Sequence, residues 1–285
     1  MKLRIVQVDA FADRPFTGNP AAVMPLDSWL PDDVLQAIAE ENNLSETAFT
    51  IPAEDEADYD LRWFSPAQEI AFCGHATLAS GHVLRGERER VRFRTRQSGI
   101  LDVIARDGAS LELDAPPTLV RPATEEQLRE MVSSDGSSLL DVIARDGAGF
   151  EAAEAELYLS WKGAEATAIV LLPDAQAVRR CRPDMARLRE IDLMVIVTAA
   201  GGSGEDEGLD VVSRVFVPAW GVDEDPVTGS AHAALTPFWC DRLGRESFTA
   251  YQASRRGGLL QCRREGDRAV IGGTCVTVME GVMTI

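Results

Sequence analysis

Cys73-Gly74-His75-Ala76-Thr77 and Asp225-Pro226-Val227-Thr228-Gly229-Ser230-Ala231-His232 share one layout. Polar residues lead to a glycine, and the glycine leads through small residues into an apolar helical pattern. A glycine at such a junction lets backbone N–H groups approach a ligand, and the helix that follows adds the positive end of its dipole. One junction in each half of a single chain predicts two half-sites facing one small anionic ligand.

The flanking sequence has the same grammar in both halves. In the first, strands are predicted at Leu3–Phe11, Ala21–Met24, Leu44–Ile51, Tyr59–Phe64, Val91–Arg96, Gly99–Ala105 and Ser110–Leu113, with a D-G turn at Arg106-Asp107-Gly108. Gly18-Asn19-Pro20 reads as a turn. Pro31-Asp32-Asp33 opens a helix that Asn42-Asn43 closes, and a second helix is predicted near residues 76–85. In the second half, strands are predicted at Leu157–Trp161, Thr167–Leu172, Leu193–Val197, Val211–Val217, 247–253, 258–263, 268–271 and 274–279. Helices are predicted across Ala175–Arg189 and near 231–243, with a flexible loop at Gly201–Gly208. Many strands with one apolar helix after each glycine turn predict an α+β protein of two domains, each a curved sheet wrapped around a central helix. The boundary is expected near residue 120, giving domains 1–120 and 121–285, with the last strand free to return to the first domain.

Composition narrows the function. The chain has 285 residues, 45% hydrophobic and 26% charged, with a formal net charge of −18. So acidic a surface argues against nucleic acid, which requires a basic face. Cys73, Cys181, Cys240, Cys262 and Cys275 are odd in number and form no C-x-x-C pair. That pattern predicts reduced thiols in the cytoplasm rather than a disulfide framework or a zinc ribbon. No run approaches the ~20 apolar residues that span a bilayer, so no membrane partner is expected. Leu101–Ala109 recurs unchanged as Leu140–Ala148, a local duplication to which no function attaches.

Four residues invite chemistry, each with a plainer alternative. Glu46 lies opposite Phe49 and Ile51 on a predicted strand, either facing solvent or held as a proton carrier among apolar neighbours. His75 opens a helix, as a capping group or with its ring in a cleft. A metal site with His82, and His232 as a further co-ligand, is disfavoured, because seven residues separate His75 and His82 by about 10.5 Å along a helix. Asp225 either caps the following helix or acts in catalysis. Cys73 is either a reactive thiol at a helix terminus or a small buried side chain.

Gly18-Asn19-Pro20-Ala21-Ala22-Val23, Ser45-Glu46-Thr47-Ala48-Phe49 and the two glycine junctions together resemble the phenazine-biosynthesis isomerase family, in the same order and over nearly the whole chain. The resemblance implies the diaminopimelate epimerase fold, with two pseudo-symmetric domains and the site in the cleft between them. It implies Glu46 as the proton-transferring glutamate, His75 as a substrate-contacting histidine and Asp225 as its partner. Ser45, Cys73, Gly74, Gly229 and Ser230 would contact a small carboxylate substrate. A homodimer and a proton-transfer isomerisation without metal or cofactor are likewise implied. In racemases of this fold two cysteines face each other; Cys73 holds the first position and Thr228 the second, which disfavours a two-cysteine racemase. A racemase using Cys73 with a carboxylate, or a binding protein without turnover, are the other functions to test.

Overall fold

Leu3 and Ile5 turn one way from the first strand, and Val6, Val8 and Ala10 turn the other, so both faces of this strand are covered. The same two-sided burial recurs through the sheet and sets the architecture. A computed structural model describes the chain apart from residues 107–109, 116–118, 125, 128–130, 145–149, 163–164 and 203.

The first half comprises β1 (Lys2–Ala10), β2 (Asn19–Pro25), α1 (Asp32–Asn42), β3 (Glu46–Pro52), β4 (Tyr59–Phe64), β5 (Glu69–Ile70), α2 (Gly74–Leu84), β6 (Arg90–Thr95), β7 (Ile100–Ala105) and β8 (Ser110–Ala115). The second comprises β9 (Leu119–Pro122), α3 (Leu139–Ile143), β10 (Glu156–Lys162), β11 (Glu165–Leu171), α4 (Ala175–Arg180), α5 (Met185–Leu188), β12 (Met194–Ala200), β13 (Val211–Val217), β14 (Val222–Asp225), α6 (Gly229–Leu243), β15 (Ser247–Gln252), β16 (Gly258–Glu265) and β17 (Arg268–Thr284).

The pairings are repeated. In the first half β2 and β3 are parallel across α1, β4 and β6 are parallel across α2, and the remaining neighbours are antiparallel. In the second, β11 and β12 are parallel across α4 and α5, and β13 and β15 are parallel across α6. Strands β1 to β8 thus correspond in order to β10 to β17, the pseudo-symmetry that the two glycine junctions predict. β17 pairs with β1, β8 and β16, so it closes the ring β1-β2-β3-β4-β6-β7-β8-β17 and also ends the second sheet.

An eight-stranded barrel has little interior to spare, and α2, which fills it, is slim: Gly74, Ala76, Ala79, Ser80 and Gly81 are all buried. A Cβ at Gly81 would lie 2.5 Å from Cγ1 of Val103 on β7, which is why glycine is needed there. Buried hydroxyls in the two central helices bond back one turn: Ser80 donates to the Ala76 carbonyl at 2.7 Å and Thr236 to the His232 carbonyl at 2.7 Å. One apolar core unites Leu78 of α2 with Leu235, Phe238 and Trp239 of α6. Two outer cores lie beneath α1 and beneath α3 to α5. Truncating Leu78 to alanine would cost about 2–5 kcal/mol by leaving a cavity at the centre of the barrel. Among the described residues, no helix is long and apolar enough to cross a membrane.

Several elements differ from expectation. The helix expected over Ala175–Arg189 is two short helices, because Pro183 cannot continue a helix and forces Arg182 towards extended backbone. The two strands expected at 268–271 and 274–279 are the single strand β17, which runs through Gly272-Gly273; a Cβ at Gly273 would lie 2.5 Å from Cδ1 of Phe11. β5, β9, α3 and β14 carry too little periodicity to be read. The D-G turn at 107–108 lies outside the described residues. The duplicated segment adopts two structures: Ile100–Ala105 is a strand between β6 and β8, whereas Leu139–Ile143 is helical behind a capping box formed by Ser138 and Asp141.

Candidate active site

β3 carries Glu46 into the structure. Phe49 packs outward beneath α1, while Ala48 faces the barrel core around α2. Glu46 shares the face of Ala48, so of the two settings open to it, solvent or apolar neighbours, the side chain takes the barrel interior. Asn43, in left-handed backbone (φ 47°), ends α1 and turns the chain into this strand.

Glu46 Oε2 lies 2.8 Å from His75 Nε2, with side chains 17% and 5% exposed. The contact is short but misaligned for a hydrogen bond, and this buried carboxylate oxygen has no hydrogen-bond partner. Cys73 Sγ lies 3.5 Å from His75 Nδ1 and 4.0 Å from Nε2. Burial, and then the Glu46 charge, push the Cys73 thiol up to about 11. Burial alone would depress the imidazole of His75, but Cys73 and Glu46 outweigh it and lift the ring well above the usual imidazole range.

The second half supplies Asp225 from the end of β14. Its carboxylate accepts from Asn19 Nδ2 at 2.9 Å and from the Thr228 hydroxyl. Gln252 donates to the Asp225 carbonyl at 2.7 Å and accepts from Thr228 N–H at 2.8 Å. Burial raises the pKa of the Asp225 carboxyl, offset in part by His75. The capping role open to Asp225 is not what its carboxylate does: both oxygens are engaged by side chains.

Gly74 and Gly229 open the two central helices, and these helix starts abut. A Cβ on either glycine would stand 3.4 Å from the other's Cα. Helical bonding begins with Thr77 to Cys73 and His232 to Thr228, so the first N–H groups of both helices have no partner within their own helix. Cys73 and Thr228 occupy equivalent N-cap positions. Ser230 is half-buried in the first turn of α6. Ser45 donates to Asn19 Oδ1 at 3.0 Å.

His82 and His232 do not join this cluster. His82 contacts Thr277 at 3.0 Å. His232 donates from Nδ1 to the Thr228 carbonyl at 2.8 Å and accepts at Nε2 from Ser213 at 3.1 Å. Burial pushes it down to about 4, so it is neutral and structural. The ligand atoms of Glu46, Cys73 and His75 lie within 4.8 Å of one another, a mixed O, S and N set that a thiophilic ion could use. The sequence reading missed any role for Asn19, although its turn had been singled out.

The fold recurs in a predicted epimerase from Pseudomonas aeruginosa, 21% identical and with a TM-score of 0.74, each chain covered over 99%. It recurs also in a phenazine biosynthesis protein of the PhzF family from Enterococcus faecalis, 39% identical with a TM-score of 0.78 and full coverage of both chains. A closed barrel joined to a second, open sheet, each packed on a central helix, is the fold these structures share, and curated relatives of the chain are named isomerases. An uncharacterized isomerase of Pseudomonas aeruginosa is 44% identical over 285 residues, covering 99% of this chain and 98% of the relative. The model of the phenazine biosynthesis-like family matches residues 8–281, and the chain belongs to that family.

Proposed function

We propose that this isomerase moves a proton within a small carboxylic acid bound where the starts of α2 and α6 meet. The observation that carries the reading is the buried Oε2 of Glu46, in a 2.8 Å charge contact with the imidazole of His75 but with no aligned hydrogen bond, beside two paired helix N-termini. The substrate carboxylate would rest on the N–H groups of Gly74–His75 and Gly229–Ser230, where both helix dipoles favour an anion. Glu46 takes a proton from an activated carbon, leaving a delocalised carbanion, and returns it elsewhere on the same molecule. His75, as imidazolium, steadies the charge that develops, and Asp225 orients a hydroxyl or amino group. The bond broken and the bond formed are both C–H, so no electrons leave the substrate.

A racemase based on Cys73 would need a thiolate, which a thiol pushed up to about 11 does not provide at neutral pH. The deciding experiment is deuterium incorporation from D₂O into a panel of small carboxylic acids, with wild type beside Glu46→Gln. Exchange that disappears in the variant supports the reading. Exchange that survives in the variant removes Glu46 from it, and binding without exchange points to a protein that holds the acid without turning it over.

A further inference from the structure

Asn19 is fully buried where the two halves meet, and the chemistry above gives it no part. Its Nδ2 lies 2.9 Å from Asp225 Oδ1, 2.8 Å from the Val227 carbonyl and 3.2 Å from His75 Nδ1. A side-chain amide has two hydrogens, so the two oxygens take them and the imidazole is held as a close contact. This fixes which way the amide points, because the reverse orientation would set its oxygen against the Val227 carbonyl. At the other end, the Ser45 hydroxyl donates to Oδ1 at 3.0 Å.

The turn that presents Asn19 is clamped by the second half. Gly18 has φ +65°, and a Cβ there would lie 2.1 Å from the Ala10 carbonyl oxygen. Its N–H donates to the Gly257 carbonyl at 2.7 Å. Arg256 donates to the Gly18 carbonyl at 2.8 Å, and also to buried Asp9 at 2.8 Å. The backbone at Asn19 therefore cannot drift, and its side chain is satisfied at both ends.

We infer that Asn19 is a positioning residue: one amide group of the first half, packed 3.2 Å from the His75 ring, fixes the Asp225 carboxylate of the second half beside that ring, making a single unit of the two. The inference rests on the proton-transfer reading. It adds that the unit depends on a group that need not touch the substrate. Loss of the amide leaves Asp225 Oδ1 without its Asn19 donor, which favours the protonated carboxyl and loosens its distance to His75.

The test uses the full chain as wild type, Asn19→Ala and Ser45→Ala. The Asp225 carboxyl is followed by ¹³C NMR from pH 3 to 9, assigned with Asp225→Asn, alongside deuterium exchange into the acid that wild type processes best. In Asn19→Ala the Asp225 midpoint should rise by about one unit. The exchange rate at saturation should fall about tenfold or more, with KM changed by less than about threefold. An unmoved midpoint and an unmoved rate overturn the inference. If Asn19→Ala does not fold, Ser45→Ala decides, since it frees the amide without removing it: a smaller rise in the same direction supports the inference, and no rise overturns it. If wild type exchanges no acid, the proton-transfer reading fails, and the carboxyl titration still reports on Asn19.

Discussion

Gly74 and Gly229 meet across the two halves so closely that a Cβ on either would stand 3.4 Å from the other's Cα. That distance is ordinary contact, so alanine fits at either position. Alanine is also the better helix former, by about 0.5–1 kcal/mol. We expect Gly74→Ala and Gly229→Ala to fold with unchanged or slightly raised Tm and yet to lose substrate affinity about tenfold or more, because the methyl enters the seam between the two helix starts and shifts the N–H groups that would hold the anion. Gly81→Ala is the control. Its Cβ would press on Val103, so it should lower stability by about 1–3 kcal/mol. Thermal melts beside substrate titrations separate the two behaviours. Equal Tm losses at all three positions would make Gly74 and Gly229 purely structural.

Glu46→Gln keeps the shape of the side chain and removes both the base and the anion beside His75. Proton transfer should fall by about 10²–10⁴-fold, the usual worth of a positioned general base. The imidazole should also titrate lower than in wild type, since Glu46 is one of the groups that raise it. NMR titration of the His75 ring, read beside turnover, tests both consequences. A ring that titrates as in wild type would show that the 2.8 Å contact does not govern its charge.

Both central helices were legible because an apolar run follows a glycine junction, and that pattern needs no knowledge of the partner half. The wet-face alternative for Glu46 misled for a physical reason: period-two alternation marks two faces of a strand but cannot tell solvent from a barrel interior lined by small residues of α2. β14 was invisible because Val222-Asp223-Glu224-Asp225 is polar and is held by its ladder to β13, a tertiary pairing. Asn19 was quoted as part of a turn, but its partners Asp225 and Val227 lie more than 200 residues away. The duplicated segment marks the limit most plainly, since Leu-Asp-Val-Ile is strand at residues 101–104 and helix at 140–143. Neighbouring strands decide the first and the Ser138 cap decides the second.

Cys73 should be slow to alkylate. It is 5% exposed, and its thiol is pushed up to about 11, so little thiolate exists at pH 7. Cys73→Ser should retain turnover within about tenfold, because the proposed proton carrier is Glu46. Iodoacetamide labelling followed by mass spectrometry, with turnover of the serine variant, checks both points. Rapid labelling with abolished turnover in Cys73→Ser would favour the racemase chemistry.

His232 should give the protein a specific acid weakness. Buried and neutral, it is pushed down to about 4 in the folded chain against 6.5 when unfolded. Its stabilisation is therefore complete above pH 6.5 and is lost as pH falls towards 4, where only the unfolded chain takes up the proton. The loss is about 3 kcal/mol at most. His75, whose pKa is raised, contributes no slope below pH 6.5, since it is protonated in both states there; its stabilisation fades as pH rises through its folded value. Asp225, also raised, opposes His232 just above pH 3.8, because the folded carboxyl then keeps a proton that the unfolded one releases. Comparing wild type with His232→Asn isolates the one term. The variant should be less stable at pH 7, having lost the bonds to Ser213 and Thr228. Its denaturation midpoint should fall less steeply between pH 6.5 and 4. An identical slope in the two proteins would mean that His232 is not the group whose protonation unfolds the second half.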